Sequence, residues 1–135
     1  MAHRPPGTSA LTLATPAGWP DLVVQDFIDR RNVPNSVETA RIEEACTVAL
    51  GDVQSWMRNR DVALLPLSPN EEIYFKRSVW DRARADLVAS IGANFKGQGT
   101  GDLASEIGQW NQSSLKMARN IGGFCGPVRP IGFVL

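Results

Sequence analysis

Ser68-Pro69-Asn70-Glu71-Glu72-Ile73-Tyr74-Phe75-Lys76-Arg77-Ser78-Val79-Trp80-Asp81-Arg82-Ala83-Arg84-Ala85-Asp86-Leu87 is the stretch on which the fold turns. It opens as a helix should. Ser68 can cap free backbone amides, Pro69 stands where a missing N–H costs nothing, and Glu71 is three residues on, placed to return the capping bond. Behind that start, Ile73, Trp80, Ala83, Leu87 and Ile91 recur at helical spacing and form one apolar stripe. Lys76, Arg77, Asp81, Arg82, Arg84 and Asp86 lie between them as a polar face. The reading is a central helix from Pro69 to about Ile91, with the other helices packed on its stripe. Nothing in the stretch groups side chains for catalysis.

Working toward the N-terminus, Asn59 to Leu67 is a loop whose Leu64, Leu65 and Leu67 are expected to tuck under the bundle. A helix precedes it, from Val37 to about Arg58. Ser36 is its expected N-cap, and Ile42, Ala45, Cys46, Ala49, Val53, Trp56 and Met57 share one face. Gly51 costs that helix up to about 1 kcal/mol. Asn32 to Asn35 is a turn, and a first short helix is expected over residues 20–31. Its buried side takes Leu22 or Val23 with Val24, Phe27 and Ile28. Residues 1–19, with Pro5, Pro6, Gly7, Pro16 and Gly18, read as an arm containing a short extended segment near Leu11 and Leu13.

Working toward the C-terminus, Gly92 ends the central helix and Gly92 to Gly101 is a glycine-rich loop. Asp102 then caps a fourth helix in which Leu103, Ile107, Trp110, Ser114, Met117 or Ala118, and Ile121 step by three or four. Gly122-Gly123 stop it. Phe124 to Leu135, with Pro127 and Pro130, cannot continue as helix and end in an apolar tip. The expectation is an all-α fold: a small four-helix bundle over residues 20–123, an N-terminal arm at 1–19 and a C-terminal extended tail at 124–135.

The whole chain narrows the function. Its 135 residues fit one domain. Lys plus Arg number 14 and so do Asp plus Glu, so no global field draws it to nucleic acid or an acidic membrane. No run reaches the roughly 18 apolar residues of a membrane span, and the N-terminus has no apolar signal core. Cys46 on a helix face and the distant Cys125 indicate no disulfide framework, which fits a reducing setting.

Each chemical motif meets a plainer explanation. Gly92 has Gly97 five residues on, but Gln98-Gly99 follow where a phosphate loop needs Lys and Ser or Thr, and a helix precedes where a strand is needed. His3, the only histidine, lies in the terminal arm and holds no geometry for base catalysis or zinc. No cofactor or metal is expected. The carboxylates Asp81 and Asp86 stand three or four residues from Arg84 and Arg82, the ordinary spacing of helix ion pairs. Lys76, Arg77, Arg82 and Arg84 could meet phosphate, yet acids interleave with them and no aromatic platform alternates with them. A solvated or intersubunit face is the simpler account. The four tryptophans read as core anchors, with Trp19 alternatively an interface anchor.

Tyr74-Phe75-Lys76-Arg77-Ser78-Val79 running into Ala83-Arg84-Ala85-Asp86-Leu87 resembles the "YKRAV…AKAEL" helix of tailed-phage head-completion and head–tail connector proteins. The likeness extends in order over about residues 20–123, with Ile42-Glu43-Glu44-Ala45-Cys46 and Ser114 to Gly123 in the flanking helices. Ser78 stands where that motif has alanine, Trp80 and Arg82 are unusual for it, and the proline-rich arms match nothing in it. The resemblance implies a non-enzymatic virion protein, made in the host cytoplasm, that docks as a ring on the portal vertex. Its implied partners are the portal protein, a neck or tail-completion protein and further copies of itself, twelve if it follows the portal. Contact with packaged DNA in the channel and absence from membranes belong to the same expectation.

On that reading the interface residues are Trp19 in the arm, Lys76 and Arg77 on the central helix, Phe95 and Lys96 in the glycine loop, and Val128, Arg129, Ile131, Phe133, Val134 and Leu135 in the tail. The competing reading is a small helical nucleic-acid-binding or regulatory module using the basic face of the central helix. An enzyme built on scattered carboxylates comes third.

Overall fold

The structure is a computed structural model that describes residues 8–15, 19–33, 37–57, 67–91 and 103–127. Its elements are β1 (Thr12–Leu13), β2 (Leu22–Val23), α1 (Val24–Arg30), α2 (Thr39–Ser55), α3 (Pro69–Ile91) and α4 (Leu103–Ala118). The all-α expectation holds, with one two-stranded ribbon added. At the start of α3, Glu71 N donates to Ser68 Oγ at 3.3 Å and Ser68 N donates to Glu71 Oε1 at 3.0 Å. That reciprocal pair is the capping box read from the sequence. The second Glu71 oxygen accepts from Gly122 N at 2.8 Å, so the same carboxylate holds the end of the α4 segment.

α3 packs against α4 and against α2. The cross-links Glu71–Gly122, Ser78–Ser114 and Arg82–Asn111 run in opposite order along the two chains, so α3 and α4 are antiparallel. Two serines meet between them. Ser78 Oγ donates to the Ser114 carbonyl at 2.9 Å and Ser114 Oγ donates to the Ser78 carbonyl at 2.7 Å, with both residues fully buried. Small side chains let the backbones come together, and each hydroxyl is satisfied by the other helix.

The stripe on α3 is partly as expected. Trp80, Ala83 and Leu87 are buried, joined by Phe75, Val79 and Val88. Ile73 is corrected: it is 52% exposed, because the line it shares with Trp80 and Arg84 opens onto a cleft at its N-terminal end. The polar face is corrected too. Asp81 and Arg84 are only 3% and 2% exposed, since α4 and the end of α1 close over that side of the helix. Asp81 bonds Arg31 and Ser113 on other elements, and Arg84 approaches Glu106.

α2 buries the face read from its spacing: Ile42, Ala45, Cys46, Ala49, Val53, Trp56 and Met57, with Leu50. Ser36 lies outside the described residues, and the N-cap is Glu38, which makes no side-chain cap bond. Val37 before the cap and Ile42 after it are both core, the positions of a hydrophobic staple. Leu67 is buried as expected, whereas Leu64 and Leu65 lie outside the described residues.

The boundaries of the body move outward at both ends. Helix α1 begins at Val24 rather than near residue 20, because Leu22 and Val23 pair with Leu13 and Thr12 as antiparallel strands. β-branched and leucine side chains fit that pleat, and Leu13 and Leu22 point into the core. The segment before β1 is tied to the helices: Thr39 Oγ1 donates to the Thr8 carbonyl at 2.9 Å, and Ser9 Oγ donates to Glu43. Residues 8–15 are therefore part of the body. So are residues 124–127. Cys125 N donates to the Trp56 carbonyl at 2.6 Å and Phe124 meets Trp56 edge-on at 6.5 Å. Gly126, buried with φ +79°, turns the chain there in a conformation that L side chains resist.

The two cysteines differ in environment. Burial, helped by the Glu43 carboxylate, pushes the Cys46 thiol far above its usual range, while Cys125 is half-buried with Sγ near the Gly123 carbonyl at 3.5 Å. Thiolates are the reactive species. A thiol reagent at pH 8 is expected to titrate one group, Cys125, in the native protein and two after denaturation. Fast modification of both in the native state would show that the α2 core opens readily.

Candidate functional site

The site is built from the end of α1. Arg31 caps that helix, and Asn32 takes the left-handed conformation at φ 51°. Arg31 N donates to the Phe27 carbonyl and Val33 N to the Ile28 carbonyl, at 2.9 and 3.1 Å. With Ile28 and Val33 both buried, this is a Schellman ending whose apolar contact anchors the turn. Asparagine tolerates the left-handed position better than most side chains. The turn points Arg31 at α3.

Arg31 Nε and Nη2 both reach Asp81 Oδ1 at 2.9 Å, and Ser113 Oγ donates to Asp81 Oδ2 at 2.6 Å. Arg84 Nη1 donates to the Arg31 carbonyl at 2.6 Å, a cation at the negative end of α1. Glu106 lies 3.6 Å from Arg84 Nη2 and accepts from Trp110 Nε1 at 3.3 Å. Both guanidinium groups stand within 6 Å of the Trp110 ring. Burial lowers the Arg84 pKa from its ordinary value and the Arg31 charge works the same way, against the raising effect of Glu106. One network thus joins α1, α3 and α4.

Above it lies an open cleft of about 790 Å³. Arg30, Arg31, Lys76, Arg77 and Arg84 supply cations, and Asp26 and Asp81 supply the carboxylates. Asp81 is already engaged by Arg31, so the accessible wall is positive. Ile73, Trp80, Trp110 and Met117 give it apolar surface, and Asn32 and Ser113 complete it. Such a site can hold an acidic surface that also carries an apolar side chain.

Of the interface residues read from the sequence, the structure brings together Lys76 and Arg77, both on the cleft. Trp19 takes the core place given to the four tryptophans rather than the alternative of an interface anchor: it is 6% exposed and meets Phe75 on α3 edge-on at 4.7 Å. Phe95, Lys96, Val128, Arg129, Ile131, Phe133, Val134 and Leu135 lie outside the described residues. The basic cluster divides. Lys76, Arg77 and Arg84 line the cleft, but Arg82 turns to Asp52 at 3.0 Å and to Asn111. Arg30, Arg31 and Trp110 were not legible as site residues, because their meeting depends on where α1 stops. No three of His, Cys, Asp or Glu gather as a metal site among the described residues, and no described helix is long and apolar enough to cross a membrane.

Fold and cleft together define an all-α bundle with a cationic, partly apolar cleft. No family model, curated protein or solved structure matches the chain.

Proposed function

We propose that this protein is a structural subunit of a tailed-phage virion, a head–tail connector or head-completion protein that assembles as a ring on the portal vertex and links the capsid to the neck or tail. One observation carries the reading. Lys76 and Arg77, in the segment that resembles the connector helix, line an open cationic cleft beside the exposed Ile73. The rest of α3 is largely enclosed by its own subunit, which suits a body that supports contacts.

The test is electron microscopy of the purified chain mixed with its portal ring. Density capping the portal supports the proposal, and portal rings left bare overturn it. Deleting residues 128–135 is expected to keep the helical circular dichroism, because Cys125 and Phe124 still hold the chain to Trp56, and to abolish capping. A truncated chain that caps normally would remove the tail from the interface. The nucleic-acid reading would use the same cations. Salt-dependent DNA binding that disappears on Lys76→Glu/Arg77→Glu, with no portal capping by wild type, would put it in the connector's place.

A further inference from the structure

We propose that the cleft receives a second copy of this chain, docked through the exposed face of α2 and the Asp86 side of α3. This inference rests on the assembly reading above and names the two faces that meet. Glu44, Val48 and Asp52 recur every four residues along α2 and share one side of it. Val48 is 50% exposed, one of the few large apolar side chains left in solvent. Glu44 is exposed, and Asp52 is half-buried in its pair with Arg82. Asp86 adjoins this group. Its carboxyl is pushed above the usual range, first by partial burial and then by the charges of Asp52 and Glu44, against the opposing pull of Arg82. Arg82 pairs with Asp52 and stands one turn before Asp86 on α3, while Glu44 shares the Asp52 side of α2, so acids outnumber cations on this face. Arg41, a turn earlier, is the only cation in α2.

The two faces complement each other in charge, and each carries one exposed apolar side chain. The cleft offers Lys76, Arg77 and Arg30 beside Ile73; the α2 face offers Glu44 and Asp86 beside Val48. Gly51 adds an independent observation. A side chain placed there would meet nothing within 4 Å, so no packing inside the subunit calls for glycine. Glycine in a helix costs about 1 kcal/mol relative to alanine. A bare backbone between Val48 and Asp52 lets another chain approach closely.

The geometry also argues against a closed two-fold pair through these faces. At about 100° per residue, Asp86 lies roughly 140° around α3 from Ile73, and the cleft is lined from α1, α3 and α4 rather than from α2. Cleft and acidic face thus occupy different sides of one subunit. A contact between unlike patches repeats from copy to copy and closes into a ring when the rotation allows.

Two charge-reversed full-length variants test this. Lys76→Glu/Arg77→Glu inverts the cleft, and Glu44→Lys/Asp86→Lys inverts the opposing face; circular dichroism verifies that each is folded. Sedimentation velocity over a concentration series should show that wild type associates and that each variant alone stays monomeric. An equal mixture of the two should associate again, because every contact in it is complementary. Independently, Ile73→Cys/Val48→Cys in a Cys125→Ser background should give a ladder of cross-linked oligomers under mild oxidation, while each single cysteine gives at most dimers. Variants that associate like wild type, a mixture that stays monomeric, or a double-cysteine chain without a ladder would overturn the contact. Portal capping without the ladder removes this contact and leaves the connector reading intact. A ladder from a chain that ignores portal does the reverse.

Discussion

Asp81→Ala is expected to lower folding stability by about 3 to 5 kcal/mol, the usual result of removing one partner from a buried ion pair. The carboxylate accepts from Arg31 and from Ser113. Without it Arg31 and Arg84, whose charges already oppose each other, would stand over Trp110 with less negative charge to balance them. Native stability is typically about 5–15 kcal/mol, so the loss would remove a large part of it. Urea denaturation followed by circular dichroism measures the change. The double variant Asp81→Leu/Arg31→Met should be less damaged than Asp81→Ala, because it removes both charges. A single variant within 1 kcal/mol of wild type would mean that Arg31 escapes to solvent and that the network adds little.

Phe75→Ala should be comparably severe, at about 3–5 kcal/mol. The ring is fully buried and holds Trp19 edge-on at 4.7 Å, so its loss leaves a cavity under the segment that closes the N-terminal end of the fold. Trp19 fluorescence should move to longer wavelength as water reaches the indole. Ile73→Ala, two residues earlier and largely in solvent, is expected to change stability by less than about 0.5 kcal/mol. The contrast matters because the helical spacing alone assigns Ile73 to the core and leaves Phe75 out. Equal effects at the two positions would return the stripe to its sequence-derived register.

That pair shows what the sequence conveys and what it withholds. Local rules were legible: the Ser68–Glu71 box, the apolar face of α2 and the stepping of α4 follow from spacing and capping chemistry within a few turns of chain. On α3 the stripe was legible at Trp80, Ala83 and Leu87 but not at Ile73, because a helix enclosed on most sides has several apolar lines and spacing cannot say which one faces water. The extended segment near Leu11 and Leu13 was legible as well, but its pairing with Leu22 and Val23 was not. Leu22 and Val23 suit a helix or a strand equally, and only the distant Thr12 and Leu13 decide between them. Half of the cleft was visible in Lys76 and Arg77. The other half comes from Arg30 and Arg31, brought in by the left-handed turn at Asn32, and polar partners fifty residues apart leave no periodic trace. Of the two readings of Trp19, core anchor and interface anchor, its contact with the distant Phe75 selects the first.

The crossed hydroxyls of Ser78 and Ser114 have a mechanical consequence. Sliding α4 by one turn, about 5.4 Å, would carry both serines off their opposite carbonyls and strand them among hydrocarbon. A seam of alanines would offer several nearly equal stopping points along that path, whereas this pair offers one. The antiparallel rods α3 and α4 are thereby locked like a detent, and an axial push on one is passed to the other rather than absorbed by slippage.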